Sequence, residues 1–248
     1  MGKYILIETS TSLCSISLAI ENEIIDYIES CEPKAHAALS AVFIDNLLKK
    51  HSLTVKDLDG ISVSMGPGSY TGLRAGVSLA KGLSFGGGIK LFGVGTLDVL
   101  VWQAIEGLRK GGTIPAIIES TKNREVQGIH DYKYIIPVID ARRMEVYTGV
   151  FTTDGKQVSP TEPHILTSES YSQYLQEGRV LFIGDAADKT ATIIDNPNAT
   201  FIQAQPKASS LLRPTIIEKE KENHRDIAYF EPLYLKEFVA TVSKKKLF

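Results

Sequence analysis

A glycine-rich loop carries the most specific chemical signal in this sequence. The string Gly66-Pro67-Gly68-Ser69-Tyr70-Thr71-Gly72-Leu73-Arg74 joins a strand predicted at 60–64 to a helix predicted at 71–85. Such a junction leaves backbone N–H groups that can bind an anion. The string lacks the Gly-Lys-Ser/Thr ending of a P-loop and does not match a dinucleotide fingerprint. We weigh two interpretations: a structural tight turn, which we favour, and an anion or nucleotide site formed by Gly68, Ser69, Thr71 and Arg74.

Two acidic residues lie at the end of the first predicted strand in each half of the chain. Glu8 is near the end of a strand at 4–9, and Asp140 ends a strand at 134–140. If the two halves share one fold, these carboxylates face each other across a cleft, where Gly184 could also contact a nucleotide. If the halves do not share one fold, Glu8 and Asp140 are ordinary strand-end acids.

One histidine opens a predicted helix, but the spacing around it does not indicate a metal site. Two ligands on one helix face would stand four residues apart, as in His-x-x-x-His. The fourth residue after His36 is Ser40. No Ser-His-Asp order or paired carboxylates can be recognised from spacing either. We therefore expect no metal, no catalytic residue and no cofactor bound by this chain alone.

The helices predicted at 35–50 and 71–85 have more apolar surface than one buried face requires. In the second helix Gly72, Gly76 and Ala80 recur every fourth residue and share one face. An interior glycine costs about 1 kcal/mol relative to alanine, so we expect another helix to approach closely there. The alternative is packing within the chain's own core. The sharper hypothesis is an exposed helix pair that binds a partner through His36, Leu39, Ser40, Phe43, Leu47, Gly72, Ala75, Gly76, Leu79, Ala80 and Leu83.

The elements that must position these residues repeat along the chain. The first half predicts the order βββαβαβα, with an antiparallel meander followed by parallel strands joined through helices. The second half repeats this outline, with strands at 134–140, 144–151, 157–163, 180–184 and 200–202 and helices at 168–176, 185–194 and 207–222. This duplication predicts a two-domain α/β protein of the actin-like ATPase or RNase H-like class.

The domain boundaries follow from this repeat. We predict a first actin-like domain at 1–108 and a second at 109–206, with the helix near 207–222 packing back on the first. The stretch 109–133 holds glycines and charged residues and is interpreted as a surface loop insertion. Residues 223–248 form a C-terminal tail.

The composition is that of an ordinary soluble protein. Of 248 residues, 43% are hydrophobic and 23% charged, and the formal net charge is −2. A protein that binds nucleic acid by itself usually has a basic excess, so we expect any such contact to be indirect. Two cysteines, Cys14 and Cys31, do not make a disulfide scaffold. We recognise no signal peptide or membrane span, and we expect a cytoplasmic protein.

Five strings, in this order, resemble the TsaB family, also called YeaZ. They are Ile5-Leu6-Ile7-Glu8-Thr9-Ser10-Thr11, Cys14-Ser15-Ile16-Ser17-Leu18, the loop Gly66 to Arg74 with Ala80-Lys81-Gly82-Leu83, Pro137-Val138-Ile139-Asp140-Ala141-Arg142-Arg143-Met144-Glu145-Val146-Tyr147, and Pro232-Leu233-Tyr234-Leu235. The resemblance implies the actin-like two-domain fold. It also implies a role in making threonylcarbamoyladenosine at position 37 of ANN-decoding tRNAs.

The resemblance further implies a noncatalytic subunit. It would pair with a metal-bearing paralogue, TsaD, through a bundle built from the helices at 35–50 and 71–85, and an ATPase, TsaE, would join. ATP or ADP could bind in that complex, and the isolated chain could form a homodimer. Ser40 stands where the paralogue's second histidine would be needed, which argues against a glycoprotease-like metallopeptidase. An independent actin-like ATPase or kinase stays open, although Glu8 replaces the aspartate usual in that class.

Overall fold

A near-continuous apolar run forms the central strand of the first sheet. In the computed structural model, which describes residues 2–32, 36–109 and 128–236, β1 (Lys3–Glu8) is buried on both faces. It pairs antiparallel with β2 (Cys14–Ile20) and parallel with β4 (Gly60–Gly66). With β3 (Glu23–Ser30) and β5 (Lys90–Gly95), the strand order is β3-β2-β1-β4-β5.

The second sheet repeats this pairing. Its central strand β6 (Tyr134–Asp140) pairs antiparallel with β7 (Glu145–Thr152) and parallel with β9 (Val180–Gly184). The edges are β8 (Gln157–Ile165) and β10 (Ala199–Gln203), in the order β10-β9-β6-β7-β8. The shared order of the two sheets confirms the predicted duplicated α/β fold.

Helices flank both sheets, and most begin and end within two residues of their predicted bounds. Within the described residues they are α1 (His36–Lys50), α2 (Tyr70–Gly87), α3 (Thr96–Arg109), α4 (Ser172–Glu177), α5 (Ala187–Ile193) and α6 (Leu212–Glu220). The exceptions are α6, where residues 208–211 of the predicted helix form a 3-10 turn, and α4, which the sequence predicts to begin at residue 168. The helix α4 begins later because the Thr167 N–H donates to Ser170 Oγ (2.9 Å) and holds the preceding residues in a turn.

The two faces of the first sheet have different helical covers. Ile5 and Ile7 of β1 lie in one buried cluster with residues of α1 and α2. Tyr4 and Leu6, on the opposite face, lie in another cluster with Leu211 near the end of the chain. A 3-10 helix (Ala208–Leu211) leads directly into α6, so this last helical segment packs on the first sheet.

The helix α3, which follows the first sheet in the chain, packs on the second sheet. Leu100, Val101 and Ile105 of α3 are buried in one cluster with Ile135 of β6 and Ile183 of β9. Thus α3 follows the first sheet in the chain and covers the second with these residues, although its Val99 packs on the first. Residues 208–220 follow the second sheet and cover the first. The two halves exchange helices.

Some predicted segments lie partly outside the described residues. Most of the insertion at 109–133 and the last part of the tail at 223–248 belong to this group. The division into domains at residue 108 stays a prediction. Among the helices that the structure describes, none has both the length and the apolar character that crossing a membrane requires.

The helix exchange predicts a large effect of a single truncation near the end of the chain. Leu211, in the last helical segment, is fully buried against the first sheet. We expect Leu211→Ala to lower the free energy of unfolding by about 2–5 kcal/mol, because the cavity left behind cannot fully close. Urea denaturation measures this. Glu220→Ala, an exposed change in the same segment, is the control, and equal stabilities of the two variants would contradict the exchange.

Candidate functional site

The glycine-rich loop packs tightly on the turn that follows β1. The Ser69 N–H donates to the Ser10 carbonyl at 2.6 Å, and a Cβ on Gly68 would lie 2.3 Å from that same oxygen. Ser69 Oγ accepts weakly from the Gly72 N–H at 3.4 Å and caps α2. The amide of Ser69 is thus used within the chain. These contacts favour the tight-turn interpretation over an anion site.

Two further residues of the candidate anion site contact the C-terminal segment or solvent. The Arg74 guanidinium donates from Nε to the Tyr234 hydroxyl (3.2 Å) and lies 4.1 Å over the Tyr70 ring. The rings of Tyr70 and Tyr234 are 4.7 Å apart. Thr71 is exposed in the first turn of α2. Arg74 therefore holds the tail against the start of α2.

Glu8 is fully buried at the end of β1. The Ser10 N–H donates to its Oε1 at 2.7 Å, while Oε2 has no hydrogen-bond partner in the described part of the chain. Burial raises the pKa of Glu8 to about 7, although the nearby polar groups of Ser10, Ser64 and Thr9 oppose the rise. Near neutral pH the carboxyl is therefore only partly ionised. A carboxylate that binds a metal–nucleotide complex needs the opposite environment.

Asp140 has a structural role instead. Lys189 of α5 forms an ion pair with Asp140 Oδ1 at 2.5 Å and also donates to the carbonyls of Arg143 (3.0 Å) and Glu145 (2.7 Å). The Arg142 N–H donates to the same Asp140 oxygen at 3.0 Å. Together these bonds fix a turn in which Arg142 and Arg143 have positive φ (68° and 50°). The sequence analysis did not predict this role of Lys189, whose only signal was its position in the helix predicted at 185–194.

Glu8 and Asp140 have separate local partners, and their placement on either side of one cleft stays a prediction. Within residues 2–32, 36–109 and 128–236, no hydrogen bond or ion pair joins them. Gly184 also has a packing role, because a Cβ there would lie 2.0 Å from the Val138 carbonyl oxygen. Asp185 beside it accepts from the Asp140 N–H (2.8 Å), and burial raises the pKa of Asp185 to about 6. No group of three or more metal-ligating side chains occurs in the described residues.

The small-residue stripe of α2 faces the chain's own core. A Cβ on Gly72 would lie 2.0 Å from the Thr9 carbonyl oxygen, and one on Gly76 would lie 2.3 Å from Thr9 Oγ1. Ala80 is also buried. The expectation that Gly72, Gly76 and Ala80 contact a partner is therefore wrong, because α2 must pass close to the turn after β1.

Two predicted partner residues of α1 are also buried. Ser40 Oγ lies 3.3 Å from Cys14 Sγ of β2, and Leu47 belongs to the core between α1 and the first sheet. The prediction of direct partner contacts is wrong for these two residues as well. His36 begins α1, but its side chain lies outside the described residues.

A different face of the same two helices is exposed. Val42 of α1 is 50% exposed and Phe85 of α2 is 81% exposed. A Cβ added to Gly82 or Gly86 would meet no atom of the described residues within 4 Å. We call this surface the α1–α2 outer face; exposed or half-buried residues form it, namely Leu39, Val42, Phe43, Ala75, Ser78, Leu79, Gly82, Leu83, Phe85 and Gly86.

Comparisons with known proteins give the family. A family model described as "TsaD: tRNA N6-adenosine threonylcarbamoyltransferase" matches residues 30–221. The TsaB protein of Bacillus subtilis (strain 168) is 29% identical over 240 residues, which cover 93% of this chain and 92% of that protein. The chain belongs to the TsaB (YeaZ) family of TsaD-related proteins. Escherichia coli (strain K12) TsaB is 27% identical over 152 residues, 61% of this chain and 56% of that protein.

The solved YeaZ structure from Pseudomonas aeruginosa has the same fold as this TsaB-family chain. Its TM-score is 0.75 at 21% identity, and the match covers 95% of this chain and 100% of that one. A tRNA N6-adenosine threonylcarbamoyltransferase of Cereibacter sphaeroides (strain KD131 / KCTC 12085) is 44% identical over 64 residues, 26% of this chain and 18% of that protein. Two strings that resemble TsaB have packing roles here, since the 66–74 loop abuts Ser10 and the turn after Asp140 is fixed by Lys189.

Two glycine substitutions on opposite sides of α2 should have opposite effects on stability. Gly76→Ala places a Cβ against Thr9 Oγ1, so we expect a loss of about 1–3 kcal/mol. Gly82→Ala enters open space and should gain about 0.5–1 kcal/mol from helix propensity. Chemical denaturation of both variants measures these free energies of unfolding. A loss for Gly82→Ala, or no loss for Gly76→Ala, would show that the orientation of α2 is wrong.

The raised pKa of Glu8 predicts a pH-dependent effect of Glu8→Gln. The folded-state pKa of about 7 exceeds the ordinary 4.5, so the stability that neutral Glu8 contributes is present at low pH and is lost as pH rises through 7. Glutamine stays neutral. The variant should match the wild type at pH 4.5 and exceed its free energy of unfolding at pH 8 by up to about 3 kcal/mol.

Urea denaturation at both pH values measures this difference. Glu23→Gln, at an exposed glutamate of β3, is the control and should leave the pH dependence of stability unchanged. If Glu8→Gln gains no stability relative to the wild type between pH 4.5 and pH 8, the buried carboxyl is ionised throughout and the argument against cation binding fails.

Proposed function

We propose that this chain is a noncatalytic subunit of the machinery for tRNA threonylcarbamoyladenosine biosynthesis, which binds and activates a TsaD-type transferase through the α1–α2 outer face. The relatives that suggest this role are named tRNA threonylcarbamoyladenosine biosynthesis protein TsaB. The observation that carries the proposal is the open space at Gly82, together with the exposure of Phe85 on α2 and of Val42 on α1.

No close contact within the described residues requires a glycine at position 82. It lies in the interior of α2, has no close neighbour and is exposed. Glycine there costs about 1 kcal/mol relative to alanine, a cost that a partner helix approaching closely would offset. The exposed apolar side chains beside it supply the area that such a contact would bury. A helix–helix contact across α1 and α2 fits this surface.

The proposal assigns the chemistry to the partner. Glu8 is buried and only partly ionised, and Asp140 is ion-paired with Lys189. The 66–70 loop packs on Ser10. These arrangements support a role without nucleotide hydrolysis by this chain alone. Any ATP or ADP, and a TsaE-type ATPase, would then belong to the complex, in the cytoplasm.

Two further elements of the proposal follow from charge and exposure. Because the net charge is −2, contact with tRNA modified at adenosine 37 would be made chiefly by other subunits. Without the transferase, a second copy of the chain could cover the same outer face. A homodimer in isolation would then compete with the heterodimer.

Changes on the outer face should abolish pairing without unfolding the chain. Val42→Glu puts a charge into the contact and Gly82→Leu holds a partner helix away, so we expect each to weaken binding to the TsaD-type protein at least about tenfold. Size-exclusion chromatography and calorimetry measure binding, and tRNA modification by the reconstituted complex should fall in parallel.

The control is Val158→Glu, because Val158 is 49% exposed on β8, far along the chain from this face. It should leave pairing unchanged. If Val42→Glu and Gly82→Leu bind the transferase as the wild type does, the outer face is not the docking surface. If the wild-type chain does not pair at all, the proposed function itself is wrong.

A further inference from the structure

The segment that follows α6 crosses from the first half of the molecule to the second. It passes along β5, where the Arg225 N–H donates to the Leu91 carbonyl at 2.7 Å. It reaches the second half at Lys236, whose ammonium donates to the Ala141 carbonyl (3.5 Å) in the turn that follows β6. We call residues 225–236 the C-terminal strap. One short segment therefore contacts both halves of the chain.

The strap is anchored on the first half by a buried aromatic ring. Phe230 is 8% exposed, and its ring lies 2.6 Å from the position that a Cβ on Gly93 of β5 would occupy. The Lys81 ammonium of α2 donates to the carbonyls of Phe230 (2.9 Å) and Ala228 (3.2 Å). The Arg225 guanidinium donates to the Gly93 carbonyl at 3.1 Å. Because a buried ring contributes far more stability than a surface ion pair, this end of the strap stays attached.

The middle of the strap contacts the start of α2. The Leu233 N–H donates to the Met65 carbonyl of β4 at 2.7 Å. A Cβ on Gly66 would lie 2.7 Å from the Leu233 carbonyl oxygen, so the strap backbone lies directly on the glycine-rich loop. The Tyr234 ring then packs 4.7 Å from the ring of Tyr70, the first residue of α2. Movement of the strap at this point would therefore change the contacts of the first turn of α2.

The strap is attached to the second half through a lysine. The Lys236 ammonium forms an ion pair with Glu145 at the start of β7 and lies 5.5 Å from the centre of the Tyr147 ring. The Lys236 and Glu145 side chains are 34% and 25% exposed, so solvent and salt screen their attraction. Ion pairs at a protein surface contribute little to stability. This attachment can therefore break while Phe230 stays buried.

We propose that the C-terminal strap is a latch through which the second half of the chain restrains the start of α2. The latch stays anchored at Phe230 and closes when Lys236 pairs with Glu145. When this pair breaks, Tyr234 separates from Tyr70, and the first turn of α2 loses that contact. The two positions of the strap differ by one surface ion pair and one ring contact, so both are populated. The latch requires no partner protein, so this inference and the proposed function can fail separately.

Initial rates of chymotrypsin cleavage of the folded full chain measure the opening of the latch. The closed strap protects the bond after Tyr234, whereas Tyr229 is 84% exposed and gives an internal reference. We expect Glu145→Gln to raise the rate after Tyr234, relative to that after Tyr229, by about two- to fivefold, which corresponds to the loss of one surface ion pair. Salt at about 0.5 M should raise this ratio in the wild type and leave it nearly unchanged in Glu145→Gln.

A charge exchange tests the ion pair itself. Lys236→Glu should open the latch by repelling Glu145, and Lys236→Glu combined with Glu145→Lys should restore the wild-type ratio of rates. Glu162→Gln, which removes an exposed carboxylate from the neighbouring strand β8, is the control and should leave the ratio unchanged. Equal ratios for the wild type and Glu145→Gln, or no restoration in the exchanged variant, would overturn the proposal. Faster cleavage matched by a loss of global stability in urea would show unfolding instead and would overturn it too.

Discussion

The contact between α2 and the turn after β1 determines what the first half of the molecule presents to solvent. The Thr9 hydroxyl donates to the Gly72 carbonyl at 2.8 Å, and the Thr9 carbonyl lies where a Cβ of Gly72 would be. Only a helix without side chains along this line can pass so close. Once that stripe faces inward, Gly82 and Phe85 of α2 face solvent, and Val42 of α1 is exposed as well. The proposed docking surface is therefore a consequence of an internal contact.

The same turn explains why the repeated fold does not carry a repeated site. In the first half, β1 ends in a carboxyl sealed under the Thr9–Ser10 turn, with its pKa raised by burial. In the second half, β6 ends in an exposed carboxylate whose charge is balanced by Lys189. The two halves share backbone order but differ in solvation of the corresponding acid. The two carboxyl groups are therefore not equivalent in burial or ionisation. This difference agrees with the proposal that the partner carries out the reaction.

Much of the fold could be predicted because it depends on local patterns. Apolar runs such as Tyr4 to Ile7 and alternation in β2 indicate strands directly, and their order in the two halves indicates the duplication. The orientation of α2 could not be predicted in this way, because Gly72 and Gly82 are equally compatible with an inward or an outward face. What distinguishes them is Thr9, a residue distant in sequence. The role of Lys189 could not be predicted for the same reason, because its three acceptors lie more than forty residues away in the sequence.

The exchange of helices also constrains how the chain is made. During translation the first five strands leave the ribosomal exit tunnel early. Leu211 and Leu212, which cover one face of their sheet, leave it more than a hundred residues later. Until then the apolar residues Tyr4, Leu6 and Phe92 lack their final cover. The amino-terminal half cannot complete its core until Leu211 and Leu212 have been synthesised. Between the synthesis of β5 and that of Leu211, the nascent chain therefore has an incompletely covered sheet face, the kind of surface that chaperones bind.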